Sequence, residues 1–100
     1  MILALDVSTS ITGVSVIDSN GDVVLCSAID LRKHKDFFVK AEKVKEYLTT
    51  IKEEVKITEV FIEQPFMFFN SGGSSAKTMA ALQRFNGVVS WITYTLFGVQ

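Results

Sequence analysis

Two acids stand at the ends of apolar runs. Asp6 follows Ile2-Leu3-Ala4-Leu5, and Glu63 follows Val60-Phe61-Ile62. Each run has the length and character of a short buried strand. A carboxylate at the end of such a strand is costly unless it is paired, hydrogen-bonded or bound to a metal. Two of them on neighbouring strands form a site for hard divalent cations, which take oxygen ligands.

The surrounding elements must bring these acids together. Residues 2–7 are nearly continuously apolar, the pattern of a strand covered on both faces. Residues 12–18 partly alternate and read as a second strand. Ser19-Asn20-Gly21-Asp22 is a tight turn, because Asn-Gly readily takes the positive φ angles of a hairpin. Residues 23–31 return as a third strand, and Asp30 with Arg32-Lys33-His34-Lys35 closes the meander. The period then changes. Ala41, Val44, Leu48, Ile51 and Val55 form one apolar helix face over residues 37–55, extended at its start by Phe37 or Phe38. The lysines and glutamates between them, Lys40 included, read as a solvated face with support from i,i+4 pairs.

Residues 59–64 give a fourth strand, ended by Pro65. Ser71-Gly72-Gly73-Ser74-Ser75 is a loop that finishes in good N-cap residues. A second helix follows over 75–97, with Thr78, Leu82, Phe85, Val89, Ile92 and Leu96 along one face. Met79, Trp91 and Phe97 widen that face, so the helix is expected to be covered on more than one side. Gly87 costs this helix roughly 1 kcal/mol relative to Ala, and a close approach to a neighbour is the expected compensation. The order β-β-β-α-β-α, with a right-handed β-α-β crossover, gives a mixed sheet. Strand four then lies parallel to strand one and beside it. Asp6 and Glu63 meet at the carboxyl edge, where open α/β sheets commonly bind ligands.

One hundred residues, 48% of them apolar, make one domain of an ordinary globular chain. A net charge of −1 gives no global signal for nucleic acid, so any such contact must come from local basic patches. Lys77 and Arg84, on the helix that follows strand four, are candidates for phosphate contact. Arg32, Lys33 and Lys35 form a second candidate patch. His34 reads as a solvated loop residue. Cys26 is the single cysteine; it excludes an internal disulfide and reads as a buried thiol in a reducing compartment. No run reaches the roughly 18 apolar residues of a membrane span. The N-terminus has no basic signal-peptide region, and the expected location is the cytoplasm.

The motifs resemble those of a known family. Ile2-Leu3-Ala4-Leu5-Asp6-Val7-Ser8-Thr9-Ser10-Ile11-Thr12-Gly13 is similar to the first motif of RuvC-type Holliday-junction resolvases, in which a strand ends in Asp and a turn leads to Thr-Gly. Ile62-Glu63-Gln64-Pro65-Phe66-Met67 resembles the second, Ile-Glu-Gln followed by an aromatic and Met. Asn70, Gln83, Arg84 and Gly87 match the continuation more loosely. With Ser8 and Asn86-Gly87, the form most resembles phage-type members, which would place it in a host cell's cytoplasm. The resemblance implies a ribonuclease-H-like fold and an endonuclease that cuts branched DNA with Mg²⁺ or Mn²⁺. It makes Asp6 and Glu63 metal-binding catalytic acids and gives Phe66 the role of stacking on junction bases. Thr12 and Gly13 fall where the family needs a small turn and close backbone approach beside substrate. Local turn bonding is the expected role of Ser8 and Ser10. The family acts as dimers, so a homodimer through the 75–97 helix is expected.

The chain departs from the family in one respect. The family's site is completed by further acids on a C-terminal helix, and no Asp or Glu follows Glu63. Residues 1–100 are therefore expected to be a single truncated domain, lacking the C-terminal strand or strands and helix and inactive alone. Two other readings compete. The Asp6-to-Gly13 stretch also resembles the phosphate-binding start of actin/sugar-kinase domains, which Ile-Glu-Gln does not fit. A non-catalytic DNA-binding module with the same fold is the third.

Overall fold

The element order read from the sequence is the one observed. In a computed structural model that describes residues 1–63 and 75–98, the chain runs β1 (Ile2–Asp6), β2 (Ile11–Ile17), β3 (Val23–Asp30), α1 (Phe37–Glu54), β4 (Glu59–Ile62) and α2 (Ser75–Phe97). The sheet order is β3-β2-β1-β4. β1 pairs antiparallel with β2 and parallel with β4, as expected. The fold is a mixed four-stranded sheet with two helices in the β-β-β-α-β-α order.

The β2–β3 turn is organised by Asp18. Its Oδ1 accepts from the N–H groups of Asn20 (2.9 Å) and Asp22 (3.0 Å). Gly21 takes the positive φ of 85° that the turn requires, while Asn20 does not adopt one. Beyond the turn, Ile17 pairs with Val23 while Val16 pairs with Leu25. Val24 is thus the extra residue of a bulge, which adds local twist.

α1 begins at Asp36, whose carboxylate accepts from the N–H of Phe38 (2.8 Å) and Val39 (3.1 Å) and so satisfies two of the first-turn donors. Its expected face is buried at Ala41, Val44, Leu48 and Ile51. α2 buries Phe85, Val89 and Ile92 on its expected face. These residues form one core with Leu3, Leu5, Val14 and Val16 of the sheet. Both helices therefore cover the same face.

Four expectations are corrected. First, β1 is covered on one face. Leu3 and Leu5 enter the core, whereas Ile2 and Ala4 are half-buried on the opposite face. Phe61, the β4 partner of Ala4, is 58% exposed. The apolar run arises because the open face also carries apolar residues. Second, Cys26 sits on that face and is exposed. Third, α2 is covered along one side: Trp91 and Tyr94 are 65% and 52% exposed. Fourth, among the described residues no neighbouring element approaches Gly87; a Cβ there would meet no atom of one within 4 Å. Among the described residues, no helix is long and apolar enough to cross a membrane.

Candidate functional site

The parallel pairing of β1 and β4 brings the two acids together. Leu5 is the register partner of Ile62, so Asp6 and Glu63 are the next residues along adjacent strands, whose spacing is about 4.8 Å. The N–H of Glu63 donates to the Leu5 carbonyl at 3.0 Å, carrying the ladder one residue past the strand. Both acids are exposed and line one depression of about 480 Å³ on the open face. Its floor is made of small residues, among them Ala4, Gly13 and Ser15, with Phe61 and Cys26 at its sides.

Gly13 is the register partner of Asp6. A Cβ at Gly13 would lie 3.5 Å from the Asp6 Cβ, an ordinary contact, so a small side chain fits there. What glycine contributes is space beside the carboxylate. Thr12 faces the other way and is fully buried. Its Oγ1 donates to the Ser8 carbonyl (2.8 Å) and accepts from the Ser8 N–H (3.2 Å). Ser8 in turn accepts from the Ser10 N–H at 3.1 Å, the local turn bonding expected of it. Thr12 thus acts on the site through the turn that follows Asp6.

The remaining candidates are spread more widely. Lys77 is exposed on α2. Arg84 is also exposed, with its guanidinium 4.7 Å from the centre of the Phe37 ring. Phe37 itself packs edge-on against buried Phe85 at 5.6 Å. Arg84 is therefore held on an aromatic face that joins the two helices, with its planar group still open to solvent. In the second basic patch, Arg32 is committed to Asp30 through Nε–Oδ1 (3.0 Å) and Nη2–Oδ2 (2.7 Å) contacts. That forked bond, helped by the Arg32 backbone N–H, holds the Asp30 carboxyl well below its usual range. His34 is half-buried in its loop. Gln64, Phe66 and Asn70 lie outside the described residues.

Two residues to which the sequence assigns no role at the site tie the helices to this edge. Lys40, read as part of a solvated face, is half-buried, and its Nζ donates to the Thr9 carbonyl at 2.7 Å. Asn86 donates from Nδ2 to the Glu63 carbonyl at 3.0 Å. Both bonds link residues distant in sequence, so no local pattern announces them. The one local sign is Asn86 itself, a weak helix former placed mid-helix.

Comparison with solved structures places this architecture. T. thermophilus RuvC in complex with a Holliday junction substrate superposes with a TM-score of 0.77 at 9% identity, covering 98% of this chain and 59% of that one. A second Thermus thermophilus RuvC structure gives 0.65 at 12% identity, with the same coverage. The chain has the RuvC fold. At such identities the likeness speaks for the fold alone, and this chain spans 59% of the length of either RuvC chain. No family model and no curated protein matches the sequence.

Chemically, the edge offers two hard oxygen donors side by side, open to solvent and beside a glycine. That donor set suits Mg²⁺ or Mn²⁺ better than a softer ion. Among the described residues, no group of three or more His, Cys, Asp or Glu side chains could hold a metal.

Proposed function

We propose that this chain carries the first half of a divalent-metal-dependent endonuclease site that resolves branched DNA such as Holliday junctions. The observation that carries the proposal is the placement of Asp6 beside Glu63 on the open face of a RuvC-type sheet. The neighbouring structure of RuvC with a Holliday junction supports branched DNA as the partner. Asp6 and Glu63 would hold the metal, Mg²⁺ or Mn²⁺. Such an ion, when bound, activates the attacking water and stabilises the leaving oxygen.

The chain's own residues divide the remaining work. Gly13 keeps the space beside Asp6 free for a phosphate to approach. Thr12 fixes the turn that presents Asp6. Lys77 and Arg84 contact phosphates from α2, and Phe66 stacks on a base. Base stacking on an aromatic contributes roughly 1–3 kcal/mol. The exposed Trp91 and Tyr94 side of α2 supports a homodimer through that helix. Two carboxylates alone hold an ion weakly, so the 100-residue chain binds metal weakly and does not cut DNA. The motif form at Ser8 and Asn86-Gly87 supports a phage-type relative working in the host cytoplasm.

The test compares the wild-type chain with Asp6→Asn and Glu63→Gln. Mn²⁺ binding, read by water-proton relaxation, should weaken at least tenfold in each variant. A four-way junction should bind in preference to linear duplex, and ATP should not compete. Equal Mn²⁺ binding by all three proteins would sink the reading. ATP binding with no junction preference would favour the kinase-like alternative.

A further inference from the structure

We infer that Asn86 is a positioning residue for the Glu63 carboxylate, an inference that rests on the proposed role of Asp6 and Glu63 as ion ligands. Glu63 lies one residue past the end of β4. Its backbone is held there by two bonds, from its N–H to the Leu5 carbonyl and from Asn86 Nδ2 to its own carbonyl, each 3.0 Å. The first belongs to the sheet. The second is a side-chain clamp from α2 across 23 positions of sequence.

Asn86 is well placed for this. The adjacent Phe85 is fully buried and fixes the rotation of the helix about its axis. One turn later, Ser90 Oγ donates to the Asn86 carbonyl at 2.8 Å. The clamp is also electrically neutral. A Lys or Arg in its place would hold the same carbonyl but would bring a charge that competes with a cation for the carboxylate. Fixing the Glu63 backbone sets the point from which the three rotatable bonds of its side chain start. Groups that orient a metal ligand typically change metal affinity 10–100-fold when removed.

The experiment uses the full 100-residue chain and Mn²⁺ as the probe. Asn86→Leu keeps the side-chain size, removes the donor and improves helix propensity. Its Mn²⁺ affinity should fall about tenfold, while its unfolding midpoint stays level or rises. Exchange protection of the Glu63 amide should fall at the same time. Asn86→Gln, which retains an amide donor, should recover part of the affinity. Asp6→Asn supplies the control for the ion site. If Asp6→Asn loses Mn²⁺ and Asn86→Leu does not, the inference is overturned and the ion-site reading stands. If Asp6→Asn leaves binding unchanged, that reading falls and the inference falls with it. Unaltered Glu63 protection in Asn86→Leu also overturns the clamp.

Discussion

The two faces of the sheet are built from alternate residues of the same strands, yet they differ in kind. The covered face presents Leu3, Leu5, Val14 and Val16, all fully or almost fully buried. The open face presents Ala4, Asp6, Gly13 and Ser15 around a shallow depression. A carboxylate moved to the covered face would lose its water with no partner to replace it. On the open face Asp6 stays hydrated and available. Strand parity, as much as strand end, makes this acid usable, and a one-residue slip of β1 would bury it. Thr12 is the polar exception on the covered face, and it stays there because both of its hydroxyl bonds close on Ser8.

The comparison can be broken or sharpened by substitution. The largest effect belongs to the covered side. Phe85→Ala should lower unfolding stability by about 3–5 kcal/mol, measured by urea denaturation; a loss below about 1 kcal/mol would mean that the α1–α2 core is not packed as described. Next is Thr12→Val, which leaves the Ser8 N–H and carbonyl without their partner and should cost about 1–3 kcal/mol. A neutral result would remove Thr12 as the lock of the turn. Gly87→Ala, on an open stretch of α2, should stabilise the chain by up to about 1 kcal/mol; destabilisation would reveal a close neighbour at that position in solution. The smallest change is expected for Phe61→Thr on the open face, within about 0.5 kcal/mol of wild type. A loss above about 2 kcal/mol would show that something packs on this face, and the contrast between the faces would then fail.

Much of the fold is legible in the sequence because its signals are local. The 3,4 spacing from Ala41 to Ile51 defines α1, and the Asn20-Gly21 pair marks the hairpin, although Asp18 does most of the bonding there. The crossover rule places β4 beside β1 and so brings Asp6 to Glu63. What escaped depends on the third dimension. Ile2 and Ala4 make β1 look covered on both faces, because an apolar residue on an open face reads like one in a core. Cys26 misleads for the same reason. Lys40 and Asn86 bond to backbone carbonyls 31 and 23 residues away, and a charged or amide side chain gives no sign of such a destination.

The pairing of β4 with β1 has a thermodynamic consequence. Asp6 belongs to the hairpin meander, whose contacts are mostly local, whereas Glu63 arrives only after the chain has travelled through the whole of α1. Any ion bridging the two carboxylates binds the state in which β4 is docked and ignores the state in which it is not. By mass action it then stabilises that docked state in proportion to the logarithm of its concentration. For such an ion, concentration and strand docking would be linked variables, and β4, the shortest strand of the sheet, would be the one to respond.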